Sequence, residues 1–518
     1  MASIERTTSA PVAKSTIEMH EFAMSTETSE WEDASIWQAI KATPKVIAYC
    51  ACLGIGPLIY GFDNIIISVV TSMPAFQASF GTPHGSSLII PALWLALWNA
   101  FIQAGVIIGS AINGPIADRI GRRLSFAIGG SISTLDRGSD VGRRRGTFLA
   151  GKIILGVALG ILNSTCQTYI AEVAPRKLRG PLLSFFTFFM VMGQLIAVSL
   201  VFARIAILTP SSYIVCFASQ WGPSVFALFV GFLIPESSGS FEAARKAIGS
   251  LFHEREIDAR IVSIRAALDA ENDSRHVSEE TSYLECFKGP DWRRTRIVLY
   301  ANVLQQCLGT TMIANGSYFL QLGGMSPNHS VMVSQIGVGL GLPANVAAWF
   351  AMSYLGRRFI LLWSTGAVGF LWLGVGIAGC FASSVALWAI GVMIVIISVV
   401  YGLGVGGTYP VVGAETSSMR LRAYTQGIGF IMNGFASLLF NFFVPYMFDV
   451  DQANLGGKIG FFFAGICFIA VLIVWLEVPE MKDRTYEELD EMFAKQLPTR
   501  QFKGYRCEGL AVEEMMNM

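Results

Sequence analysis

The chain has 518 residues, 53% hydrophobic and only 14% charged, where soluble domains carry about 25% charged residues; its mean hydropathy is +0.53. Its 37 basic and 37 acidic residues cancel, which argues against a nucleic-acid partner. Nine scattered cysteines and five histidines offer no metal-ligand spacing, so no cofactor is expected and the thiols read as buried and free.

Residues 1–44 are rich in Ser, Thr and Glu and lack an apolar core, so they read as a disordered cytosolic tail and not as a cleaved leader. A membrane crossing needs about 20 apolar residues as helix, because backbone groups in lipid must be satisfied internally. Eleven stretches qualify: 46–72, 88–113, 147–170, 182–204, 215–234, 296–321, 331–354, 359–382, 386–412, 423–446 and 458–477. A twelfth belongs between Arg123 and Ala150, but its apolar run, Leu124 to Leu135, is 12 residues. At 1.5 Å per residue that spans about 18 Å, too little for a bilayer. Asp136, Arg137, Asp140 and Arg143 to Arg145 follow it at once.

The polar connections at 115–123, 174–180, 353–358 and 417–422 collect Lys and Arg, as does 235–295. With both termini cytosolic and twelve crossings, all of them fall on the cytoplasmic side, where positive charge accumulates. Asn328-His329-Ser330 is the glycosylation sequon placed outside.

Three landmarks recur in the same order. Gly121-Arg122-Arg123 returns as Gly356-Arg357-Arg358, offset 235; AEVAPRKLR (171–179) returns as AETSSMRLR (414–422), offset 243; Pro235-Glu236 returns as Pro479-Glu480, offset 244. The chain therefore reads as two similar six-helix bundles, 45–234 and 296–478. A cytosolic linker with short helices, 235–295, joins them, and a cytosolic tail, 479–518, follows. Transporters are commonly built from such repeats, with the substrate between the halves. The repeat also acts as a ruler: Arg123 to Glu172 is 49 residues and Arg358 to Glu415 is 57, so the first half lacks about two helical turns. No nucleotide-binding loop or catalytic triad is visible, and an enzyme is not expected.

GPIADRIGRR (114–123) resembles the G-x-x-x-D-R-x-G-R-R loop of major facilitator transporters. AEVAPRKLRG (171–180) and VPEMKDRTYEELDEMF (478–493) resemble the E-x-x-P-x-x-x-R-G and P-E-T-K-x-R-T-x-E-E-L-D-x-x-F signatures of sugar porters. Gly151-Lys152, ECFKG with Arg293, Arg294 and Thr295 (285–295), and PTRQFKGY (498–505) look like the fungal α-glucoside–proton symporter branch. The resemblance implies an all-α membrane protein of the major facilitator fold, a monomer in the plasma membrane. It would carry a sugar, a disaccharide or a hexose, by alternating access with a proton.

The same resemblance implies roles. Asp63, in LIYGFDNIIISVV, and Lys152, in LAGKIILGVALGI, are the proton-coupling pair. An intramembrane carboxylate is functional by default, the alternative being a static ion pair. Gln194, Gln305, Gln306, Thr311 and Asn433 are the sugar-binding set, because amides donate, accept and stay neutral in low dielectric; the alternative is interhelical glue. Asp118, Arg119, Arg122, Arg123, Glu172 and Arg179, with Arg357, Arg358, Glu415 and Arg422, form a cytoplasmic gate, the alternative being topology determinants alone. The chain departs from the branch in several places: the carboxylates that close relatives carry near Tyr60 and Val106 are absent, Thr311 stands where many hexose porters have Asn, GGTYP (406–410) replaces the usual GPVxW, and IPESSGSF (234–241) lacks SPRWL. The short third segment and the altered 234–252 segment keep a second reading open, a transport-impaired paralogue or a non-transporting sugar sensor. The 25 residues after Phe493 are short for a sensor's extension.

Overall fold

A computed structural model of the chain describes residue 41 and residues 44–505, apart from 85–86, 137–144, 174–175, 236–282, 382, 419–420, 483, 485 and 503. Most of the linker and the N-terminal tail named above lie outside these residues.

The first half comprises α1 (Pro44–Leu53), α2 (Ile55–Val70), α3 (Pro74–Phe80), α4 (Ala92–Ile120), α5 (Arg122–Asp136), α6 (Arg145–Val173), α7 (Arg176–Arg204), α8 (Ser211–Ala218) and α9 (Trp221–Leu233). The second comprises α10 (Gly289–Cys307), α11 (Thr310–Ala314), α12 (Gly316–Leu322), α13 (Pro327–Leu355), α14 (Arg357–Ala378), α15 (Ser384–Leu403), α16 (Val405–Thr416), α17 (Arg422–Phe448) and α18 (Ile459–Glu477); α19 (Tyr486–Ala494) follows. Among the described residues, eleven spans are long and apolar enough to cross a membrane, at the places expected from sequence. The third is missing from that set: α5 has 15 residues against 22 in α14, or about 22 Å against about 33 Å.

Two features were not expected. Strands β1 (Thr82–His84) and β2 (Ser87–Ile89) pair antiparallel, with Thr82 opposite Ile89. Single crossings are also broken: at Gly54 between α1 and α2, at Gly309 (φ 82°) between α10 and α11, and at Gly404 between α15 and α16. The carbonyl freed at Leu308 accepts from Trp372 Nε1 at 2.9 Å, as a broken helix inside a bilayer requires. The sequon lies in the first turn of α13, where Ser330 is buried and donates to the Pro327 carbonyl at 2.9 Å.

Packing reproduces the repeat. In the first half α2 lies on α7, α4 on α6 and α5 on α9; in the second, α10 lies on α17, α13 on α15 and α14 on α18. The halves meet through α4 on α17 and α7 on α13, two pairs that exchange when the halves are swapped. Backbones touch where small residues allow it. A Cβ on Gly109 would sit 2.1 Å from the Val157 carbonyl, and one on Gly160 2.3 Å from that of Val106. Gly61 and Gly193 join α2 to α7 in the same way, at 1.9 and 2.0 Å.

Candidate functional site

Asp63 and Lys152 are both fully buried. Asp63, on α2, accepts from Gln220 Nε2 at 2.6 Å. Lys152, on α6, holds its ammonium 5.1 Å from the Phe148 ring and 4.9 Å from the Phe217 ring. Phe217 and Gln220 are three residues apart at the α8 end, so one turn of chain touches the carboxylate with an amide and the cation with an aromatic face. Cation–π contact of this kind contributes about 2 kcal/mol when desolvated. Gln220 was not singled out from sequence, although an amide inside an apolar segment was its signal.

Gln305 and Gln306 point into the bundle and are 8% exposed each. Gln306 is saturated: its Oε1 accepts from Thr310 and Thr311 at 3.0 and 3.1 Å, and its Nε2 donates to Ser437 at 2.7 Å. Gln305 accepts from the Tyr401 hydroxyl at 3.2 Å, with the Tyr409 phenol beside it. Its Nε2 finds no acceptor among the described residues. Tyr60 of the first half, beside Gln103, lies near both phenols. A ring of hydroxyls and amides thus closes around the seam between the halves. Gln194 is half-buried on α7, between Gly193, packed on α2, and Leu195, which approaches Gly339 of α13. Asn433 donates to the Asn302 carbonyl at 3.1 Å.

At the basic end, Arg357 grips Glu415 with two bonds, 2.8 and 3.1 Å. Glu480 accepts from the Arg357 and Arg358 backbone N–H groups at 2.9 and 3.2 Å, an anion at the N-terminus of α14 where the helix dipole favours one. The repeat holds at atomic detail. Arg122 donates to the Ala117 carbonyl and Arg357 to that of Met352; Arg123 donates to Phe232 and Arg358 to Trp475. Arg119 is exposed beside an apolar groove with Ile116 and Ile128. The side chains of Asp118, Glu172, Arg179 and Arg422 lie outside the description.

Residues 48–493 match the family described as "Sugar (and other) transporter". The chain belongs to this family. It is 31% identical to MFS transporter fmqE of Aspergillus fumigatus, covering 92% of each chain. It is 26% identical to a General alpha-glucoside permease of Saccharomyces cerevisiae, over 92% of this chain and 79% of that one. Among solved structures, the inward-open xylose transporter XylE of E. coli superposes with a TM-score of 0.69 at 21% identity, covering 86% of this chain and 99% of that one. That likeness shows the major facilitator fold. Members of this transporter family are multi-pass membrane proteins and not enzymes.

Proposed function

We propose that this family member carries a sugar, of the disaccharide α-glucoside class or a hexose, by alternating access coupled to a proton. The carrying observation is Gln305: buried between the halves, flanked by the Tyr401 and Tyr409 phenols, and left with its amide Nε2 donors unused among the described residues. A sugar hydroxyl accepts from one of them and satisfies it. Gln194, Gln306, Thr311 and Asn433 complete the sugar set, Gln306 and Thr311 by orienting the wall. Asp63 carries the proton, with Lys152 as its coupling partner and Gln220 holding the carboxylate. The α-glucoside permeases among its relatives support the substrate class. The Arg357–Glu415 pair and its first-half counterpart gate the cytoplasmic end, with both termini cytosolic and the protein a monomer in the plasma membrane.

Labelled maltose and glucose uptake in a transporter-null yeast, with and without a protonophore, tests this reading. Uptake collapsed by the protonophore is expected; uptake indifferent to it removes the proton from Asp63. One observation favours the second reading, a transport-impaired paralogue or sensor: α5 is described over 15 residues against 22 in its counterpart α14, and the sequence from Arg123 to Glu172 is eight residues shorter than from Arg358 to Glu415. Surface expression without uptake of any sugar decides for it.

A further inference from the structure

The ends of the halves opposite the basic loops are closed by hydrogen bonds across the seam. Ser72 bonds Ser317 at 3.0 Å, Gln77 donates to Gln321 at 3.1 Å, and the Ile90 N–H donates to the Tyr318 hydroxyl at 3.0 Å. The Ala92 N–H, at the start of α4, donates to Asp451 Oδ2 at 3.2 Å. Beside these bonds stands Asp449, which ends α17 and is fully buried. Its Oδ1 accepts from the Val450 N–H at 2.8 Å, while its Oδ2 finds no donor among the described residues. The groups that face it are the Asp451 carboxylate and the Tyr318 phenol. His84 lines the neighbouring cavity of about 250 Å³ with Val450 and Tyr318, and Lys458 stands on the 3-10 turn packed against α17.

We propose that Asp449 is a second proton-binding site of this transporter, filled when the two halves close at this end and emptied when they part. The idea rests on the alternating-access reading above. A protonated Asp449 carries no charge into the dry seam, and its O–H has facing oxygens, the Asp451 carboxylate and the Tyr318 phenol, as candidate acceptors. An ionised one leaves a desolvated charge beside a second carboxylate, which the Val450 and Asp451 N–H groups offset in part and water relieves when the halves part. Burial, and secondarily the Asp451 charge, push the Asp449 carboxyl up to about 7 in the closed seam. Parted halves rehydrate it and restore an ordinary carboxylate value near 4. The closed form therefore binds the proton more tightly. Acidification from about 7 towards about 4 favours closure, changing the closed-to-open ratio by up to about tenfold per pH unit. Outside that window Asp449 contributes no pH dependence. This site lies in the second half, whereas Asp63 lies in the first, so the outer seam gains a proton dependence of its own.

Spin labels on Ala78→Cys and Ala453→Cys, exposed positions on opposite halves of the seam, report closure in the full chain. Cys380, which is exposed, is replaced by Ser in this background. Double electron–electron resonance in lipid nanodiscs without sugar is read from about pH 4.5 to about pH 8. The expected result is a short-distance population that declines as pH rises through the window, and an Asp449→Asn protein whose distances ignore pH. PH dependence retained in Asp449→Asn, or absent from the parent, overturns the proposal. Should Asp449→Asn fail to fold, Asp451→Asn decides, because removing the like charge must move the upper end of the window to lower pH. An unmoved profile there also overturns it. A distance response in a protein that moves no sugar leaves this proton site standing and defeats the transport reading; uptake without the distance response does the reverse.

Discussion

Gln305 and Gln306 are adjacent in sequence and 8% exposed each, yet their hydrogen-bonding states differ. Gln306 has every group engaged by Thr310, Thr311 and Ser437, while Gln305 retains Nε2. Gln305→Ala is therefore expected to raise the KM for sugar uptake about tenfold, the value of one well-placed hydrogen bond of about 1.5 kcal/mol, with little change in thermal stability. Gln306→Ala should instead lower the melting temperature of the purified protein, because it strands two hydroxyls and a serine. A KM–kcat analysis beside a melting curve separates them. Asp63→Asn keeps the amide-to-side-chain contact with Gln220 in reach but removes the titrating group. Accumulative uptake should fall to the level seen with a protonophore, while sugar counterflow across the membrane persists; equal loss of both would mean Asp63 is structural. The chemistry-bearing residues that sequence brought forward were those unusual in lipid, Asp63 and Lys152, or paired in a motif, Gln305 and Gln306. Tyr60, Tyr401, Tyr409 and Gln220 were missed because phenols and single amides are ordinary in membrane helices, and only packing reveals which of them converge.

At the scale of elements, glycine spacing sets how closely helices approach. Gly105 and Gly109 on α4 face Gly156 and Gly160 on α6, each with a neighbouring backbone within 2.1 to 2.4 Å of where a Cβ would stand. Dispersion between touching backbones replaces the hydrophobic drive that lipid cannot supply. Gly109→Val should force α4 from α6 and lower stability by about 1–3 kcal/mol, the usual range for overpacking, visible as a fall in melting temperature and in surface expression. Gly465→Ala, with nothing within 4 Å of the added methyl, should be neutral or slightly stabilising, because alanine favours helix over glycine by about 1 kcal/mol. Equal effects at the two sites would show that helix propensity, not interhelical contact, governs these glycines. The helices themselves were legible as apolar runs, and the shortness of α5 was legible from the repeat. The breaks at Gly309 and Gly404 were not, since a glycine inside an apolar run signals close packing and a broken helix equally well. The β1–β2 hairpin was hidden because two strands of three residues each are too short for alternation to register.

At the scale of the whole molecule, the repeat seen in the basic loops survives as matched hydrogen bonds: Arg122 to Ala117 against Arg357 to Met352, and Arg123 to Phe232 against Arg358 to Trp475. Charge in an oily chain is sparse, so conserved spacing of charge was easy to see. The opposite end carries no such label. Ser72, Gln77, Tyr318 and Gln321 are uncharged, lie far apart in sequence and gain meaning only when the halves meet. Their bonds hold the start of α3 and the turn before it to α12, while α4 on α17 and α7 on α13 form the long contacts between the halves. If rocking opens this end in each cycle, the Ser72–Ser317 contact must break and re-form. The two hydroxyl oxygens lie 3.0 Å apart, within reach of a disulfide after modest adjustment. Ser72→Cys with Ser317→Cys should therefore cross-link spontaneously under mild oxidation and arrest sugar uptake, and a reducing agent should restore it. The single replacements, which leave the seam free to part, should retain transport. A cross-linked protein that still transports would mean that this end stays shut throughout the cycle, and that the substrate enters by another route.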